Sequence, residues 1–370
     1  MNREKKIIQT SIIGVIGNVV LVAAKAFIGL LANSISIITD AVNNLSDALS
    51  SIITIIGTKL STKKPDKKHP FGHGRVEYLT SLIIGVLVLV AGGTAIYESI
   101  MILVNKSMPK HSVVSIIIIS IAIVIKIGLG LYYRFVAKKV NSEPLKASGK
   151  DALFDALLSV ATLIGIIVSI IFPNIPFNVE GIIGIVIGLF IIRSAIEILR
   201  DGISLIIGER ASQDYVNTIK RLVVSFPQVQ GVYDLIINNY GTNKSIASVH
   251  IEVDDNLTAR DIHHLTRNIA EKVYAETGAI LTVGIYAKNE GDEQIKSIKK
   301  FVQDNIKDNK QIKQLHGFYV DEDRKLITFD LVFEFECEKP QEVIADLTSK
   351  LKEKYPEYNF YIVQDTDFTD

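Results

Sequence analysis

The sequence predicts a membrane bundle of six helices followed by a soluble α+β half. Three observations predict it. The 370-residue chain is 48% hydrophobic and only 22% charged, and the apolar excess lies in its first 200 or so residues. That stretch divides into six apolar segments, each near the roughly 20 residues needed to cross a bilayer. Beyond about Ala211 the pattern becomes that of a soluble domain, alternating between helical and strand periodicity.

The six expected spans are Ile7–Ala32, Ser34–Leu60, Tyr78–Val104, Val113–Val136, Asp151–Phe172 and Val179–Leu199. The second is less uniformly apolar than the fourth, which reads as lipid-facing by comparison. The segment after Met1–Lys6 is long enough to span, so no cleavable leader is expected. Basic residues set the orientation. Arg3, Lys5 and Lys6 precede span 1, and Lys63, Lys64, Lys67, Lys68 and Arg75 lie between spans 2 and 3. Arg134, Lys138, Lys139, Lys146 and Lys150 lie between spans 4 and 5, against only Lys106 and Lys110 on the other side. Both termini are therefore expected in the cytoplasm, with the chain in the cytoplasmic membrane. Six buried helices of a soluble bundle would not produce that asymmetry. The single Cys337 excludes an internal disulfide and a cysteine-based zinc site.

In the soluble half, Tyr215–Phe226 has helical periodicity, and Val232–Asn238 and Ser245–Val253 alternate as strands. Ala259–Thr277 is an amphipathic helix and Ile280–Tyr286 a strand, giving the order α-β-β-α-β. The order repeats in Gln294–Ile306, Gly317–Val320, Leu326–Phe335, Pro340–Lys354 and Asn359–Gln364. The expected divisions are 1–210, 211–288 and 289–370, the last a duplicate of the second, with Lys288–Glu293 as linker. The second copy is expected to lack the first copy's histidines, with Val332 or a neighbour at the place of His250.

Two polar pairs interrupt the membrane helices. Asn43 and Asp47 lie in span 2, and Asp151 and Asp155 in D-A-L-F-D. Spacing i, i+4 puts each pair on one helix face. A carboxylate at membrane depth costs several kcal/mol unless it faces a cavity, a partner or a cation. Four such groups converging make a hard oxygen site for a divalent metal. No G-x-x-x-x-G-K-[ST] motif supplies nucleotide energy, and nothing points to nucleic acid.

Three segments taken together, N-N-L-S-D-A-L-S-S, H-P-F-G-H-G-R-V-E and S-G-K-D-A-L-F-D-A-L, resemble the cation diffusion facilitator family over about residues 7–288. The resemblance implies a metal/proton antiporter, not an enzyme, with six membrane helices, a cytoplasmic ferredoxin-like domain and a homodimeric assembly. It places the transport site at Asn43, Asp47, Asp151 and Asp155. Zinc-transporting members usually carry His where this chain has Asp151. An all-oxygen set suits a harder ion, so Mn²⁺ is the expected cargo and Fe²⁺ or Zn²⁺ the alternatives, with no other cofactor. Asp40 shares the helix face, as a supporting group in the ion path or as a wet entrance residue. The resemblance further implies a peripheral site at Asp66, His69 and His73, where the alternative is a solvated basic loop. It implies metal-binding histidines at His250 and His264, where an ordinary polar face is the alternative. It also implies an interlock of Arg75 with Glu209. Rivals of other classes are a passive metal channel and an intramembrane aspartyl protease, which would need two aspartates sharing a proton and lacks a G-x-G-D here.

Overall fold

The computed structural model describes residues 3–31, 35–104, 113–171, 179–241, 244–289 and 291–369. Two compact units form. One is Met1–Glu209 with Tyr240–Thr242, the other Arg210–Asn239 with Asn243–Asp370.

The first unit holds six long helices: α1 (Arg3–Leu31), α2 (Ile35–Ser61), α3 (Val76–Val104), α4 (Val113–Val140), α5 (Glu143–Ile171) and α6 (Val179–Ile207). Among the described residues, α1, α3, α4 and α6 are long and apolar enough to cross a membrane. Helices α2 and α5 match them in length and carry Asp47 and the pair Asp151 and Asp155. Helices α3 and α6 approach closely because glycines line their contact. A Cβ on Gly188 would stand 2.5 Å from Ile96, and one on Gly184 2.1 Å from the Ser99 hydroxyl. Between lipid-soluble helices, such close van der Waals packing replaces the hydrophobic drive that water supplies elsewhere. At one end, Arg3 ties three helices together. Its guanidinium meets Glu77 of α3 at 2.6 Å and donates to the Val140 and Asn141 carbonyls at 2.7 and 2.8 Å.

Helix α5 begins eight residues before the expected Asp151. Asn141 turns the chain in the left-handed region (φ 47°), and Glu143-Pro144 opens the helix, where proline's fixed φ and missing N–H suit the first turn. Lys146 and Lys150 therefore sit on α5, not in a loop, and Asp151 lies two turns inside.

The second unit contains two α-β-β-α-β copies. The first comprises α7 (Gln213–Val224), β1 (Gly231–Asn239), β2 (Ser245–Asp254), α8 (Ala259–Thr277) and β3 (Ile280–Lys288). The second comprises α9 (Glu293–Ile306), β4 (Ile312–Asp321), β5 (Leu326–Phe333), α10 (Pro340–Lys354) and β6 (Asn359–Thr366). Each makes a three-stranded sheet with an antiparallel pair followed by a parallel one, in the orders β1-β2-β3 and β4-β5-β6. Alternation sends Ala247, Val249, Ile251 and Val253 into a core with Val216, Ile219, Ile269 and Val273 of the helices. Ile327, Phe329, Leu331 and Phe333 do the same in the second copy.

Strand β4 starts five residues before the expected Gly317. A register shift between His316 and Tyr319, with Gly317 at φ 62°, breaks the period-2 signal. Lys288 ends β3 and Glu293 begins α9, so the connection is shorter than Lys288–Glu293. Register also settles which residue corresponds to His250. His250 lies opposite Tyr233 and Gly284, and Asp330 lies opposite His316 and Val363 at the same step of its sheet. The counterpart is Asp330, not Val332.

The helix-free faces of the two sheets meet each other. Tyr233 stacks on His316 with ring centroids 4.9 Å apart, and the Tyr286 hydroxyl oxygen lies 2.5 Å from an Asp330 oxygen. The second copy thus covers the helix-free face of the first sheet.

Candidate metal centre

Helix α2 presents Asp47, and α5 presents Asp151 and Asp155 one turn apart. One carboxylate oxygen from each lies within 4.8 Å of the other two. Asp151 is buried, and Asp47 and Asp155 are partly so. Small residues let the helices come together here: Ala147, Ala152 and Ala156 of α5 are buried, and a Cβ on Gly130 of α4 would meet Leu153 at 2.7 Å. One turn along α2, the Ser51 hydroxyl bonds the Asp47 carbonyl at 3.2 Å and the Tyr133 hydroxyl of α4 at 3.0 Å, fixing α2 against α4. Asn43 and Asp40 lie on α2, but their side chains are outside the described residues.

Helix α4 is not simply lipid-facing. Its Lys126, 3% exposed, points its ammonium at the acids, 2.8 Å from Asp155 and in close contact with Asp47. Sequence reading passed over it, although a charge inside S-I-I-I-I-S-I-A-I-V-I-K-I-G is the same kind of signal that marked the aspartates. Three carboxylates and one ammonium carry two net negative charges when ionised, the complement of one divalent cation. Chemically the cluster offers oxygen donors only, with a lysine holding the position of a counter-cation.

Asp66, His69 and His73 also come together, with donor atoms within 4.8 Å of one another. Asp66 stands 3.4 Å from His69 Nδ1 and 3.5 Å from His73 Nε2, and the two rings are 4.5 Å apart. Backbone N–H groups of His69 and Lys68, with the nearby histidines, hold the Asp66 carboxyl below the usual range. Lys63 competes for the same carboxylate at 3.5 Å.

His250 and His264 are not brought together. His250 projects from the helix-free face of its sheet, whereas His264 is exposed on α8, which packs on the opposite face. Strand alternation separates them. The partner of His250 is Asp234, which it meets through Nδ1 at 2.8 Å. That bond raises the His250 pKa. Burial pushes Asp234 up, but its contacts with His250, His316 and Tyr286 outweigh this and hold it below the usual range. Arg75 lies over the Tyr240 ring at 4.6 Å, and Glu209 is exposed just beyond α6. Sequence reading also missed Asp234, His316, Asp330 and Asp365, which gather where the two sheets meet.

Comparison with known proteins shows the family of the chain. Residues 11–207 match the model of the cation efflux transmembrane domain, and residues 211–285 that of the cation efflux protein cytoplasmic domain. An uncharacterized transporter of Methanocaldococcus jannaschii is 30% identical over 69% of this chain and 88% of its own length. The magnetosome protein MamM of Paramagnetospirillum magneticum is 30% identical over 76% and 88%. The manganese efflux system protein MneP of Bacillus subtilis is 25% identical over 73% and 92%.

Proposed function

Because the chain belongs to the cation efflux family and is a multi-pass membrane transporter rather than an enzyme, we propose that it exports Mn²⁺ across the cytoplasmic membrane in exchange for protons. The carrying observation is the convergence of Asp47, Asp151 and Asp155, an all-oxygen cluster of the kind that suits manganese over zinc. Asn43, one turn before Asp47, completes the set. The similarity to the manganese efflux system protein MneP supports the same reading.

Metal and protons compete for the same carboxylates, so low pH on the far side releases the ion and high pH inside favours its capture. Lys126 balances the acids when no metal is bound, and a divalent ion displaces it. Fe²⁺ and Zn²⁺ would travel by the same route with lower preference. Both termini face the cytoplasm in this reading, Arg75 and Glu209 interlock beside the membrane, and Asp66, His69 and His73 form a peripheral metal site.

Inside-out vesicles test the proposal. Mn²⁺ uptake is expected to exceed Zn²⁺ uptake, to rise when the lumen is acidified, and to collapse when a proton ionophore removes the gradient. Asp151→His introduces an imidazole and should invert the preference toward zinc. Efficient zinc transport by the unmodified protein with poor manganese transport would overturn the assignment. Flux unaffected by the pH gradient would make the protein a passive channel.

The protein is further proposed to be a homodimer. Its contact uses another surface than the helix-free face of the first sheet, which is covered within the chain. Light scattering in detergent should give twice the monomer mass, and a second-copy truncation is not needed to obtain it. Monomer at all protein concentrations would count against the dimer.

A further inference from the structure

We infer that the soluble unit holds a second divalent-metal site, built from Asp234 of the first α-β-β-α-β copy and His316 and Asp365 of the second. Two of these three residues lie beyond residue 285, where the match to the cytoplasmic domain model ends.

Donor atoms of the three side chains all lie within 4.8 Å of one another. His316 Nε2 stands 2.8 Å from Asp234 Oδ1 and 3.5 Å from Asp365 Oδ2, with Asp330 Oδ2 next at 3.8 Å. Ligands held about 2.0–2.2 Å from a transition ion are themselves roughly 3–3.5 Å apart, so these spacings need little adjustment to enclose one.

The imidazole is the decisive group. His316 is 3% exposed, and neither of its ring nitrogens makes a hydrogen bond among the described residues. A histidinium held only as a salt-bridge partner would aim its N–H along the approach to Asp234. Here the 2.8 Å contact lacks hydrogen-bond alignment. A buried ring nitrogen 2.8 and 3.5 Å from two carboxylates, hydrogen-bonded to neither, is instead placed as a ligand would be.

The surroundings orient the donors. His250 and Tyr286 hold the other Asp234 oxygen at 2.8 and 2.6 Å, leaving Oδ1 toward His316. Outer partners of this kind are what fix ligating carboxylates at metal centres. Asp234 sits at φ 52°, at the same register step as Gly317 in the second copy. The first copy thus keeps a carboxylate where its counterpart uses the residue that adopts this conformation freely.

One imidazole with two carboxylates is a mixed nitrogen–oxygen set. It suits a first-row transition ion of the zinc, cobalt or iron(II) kind over magnesium or calcium. An ion there joins the two copies, because its ligands come from both.

Co²⁺ serves as the probe, with the full-length protein in detergent. Equilibrium dialysis counts bound Co²⁺, and visible absorption reports its ligands, for the unmodified chain and for His316→Ala and Asp365→Asn. Each variant should bind one Co²⁺ fewer per chain, or bind it at least tenfold more weakly, and lose the matching part of the spectrum. Zn²⁺ should displace that same ion from the unmodified chain. Because the transport cluster is untouched, Mn²⁺ flux into vesicles is read separately and bears only on the transport proposal. Full Co²⁺ occupancy with an unchanged spectrum in both variants overturns the site. If His316→Ala does not fold, Asp365→Asn alone decides, since it alters a partly exposed strand residue with little change of shape.

Discussion

Asp155→Ala should transport Mn²⁺ about 100-fold more slowly than the unmodified protein while remaining folded. Asp155 is one of three carboxylates that must replace the water around a divalent ion, and it is also a partner of Lys126. A loss of about 2.7 kcal/mol in binding suffices for the 100-fold effect. Folding survives because the acids outnumber the base. With Asp155 gone, Lys126 still pairs with Asp47, and the excess of buried negative charge in the metal-free protein falls. The melting temperature without metal should therefore hold or rise, and the rise that Mn²⁺ produces should disappear. Asp47→Ala and Asp151→Ala should behave alike in flux, and Asn43→Ala should be milder because water can replace a neutral carbonyl oxygen. The measurement is vesicle flux beside thermal melting for all four variants. Near-normal transport by Asp155→Ala would mean that the cluster is not the transport site.

Lys126→Met should separate stability from metal binding in the opposite sense. Removing the ammonium leaves carboxylates at membrane depth with no counter-charge, and breaking a buried pair from one side costs about 3–5 kcal/mol. The metal-free variant should melt well below the unmodified protein. Mn²⁺ then meets no competitor for Asp47 and Asp155, so its affinity should rise at least tenfold and its stabilising effect should grow with it. Turnover should fall, because the group that refills the site on release is missing. Melting curves across a manganese titration, with flux from the same preparation, check this. An unchanged metal response would remove Lys126 from the ion path and leave it a structural tie between α4 and its neighbours.

Much of this molecule was legible without coordinates. The bounds of α8 and α10 match the expected ones to the residue. For α8 the signals are local: Thr258 and Asp261 close a capping box at one end, and Gly278 turns left-handed at the other. Pro340 opens α10 in the same direct way. The pair Asp151 and Asp155 was legible for a similar reason, since helical spacing within one segment places both on one face.

What sequence could not decide was which surfaces meet. Lys126 reaches acids on α2 and α5, and only the packing of α4 against both makes it part of the cluster. His316 belongs to a copy that seemed to lack metal ligands. The β4 irregularity concealed its strand, and its partners lie in the other copy or on another strand. Conversely, His250 and His264 looked like a set, but alternation along β2 sends His250 away from the face that α8 covers. Periodicity and caps act over one or two turns, so the sequence by itself determined the order of the elements, most of their extents and the pair Asp151 and Asp155. Charge pairing and ligand convergence depend on distances between segments far apart in the chain, and those the tertiary structure alone decided.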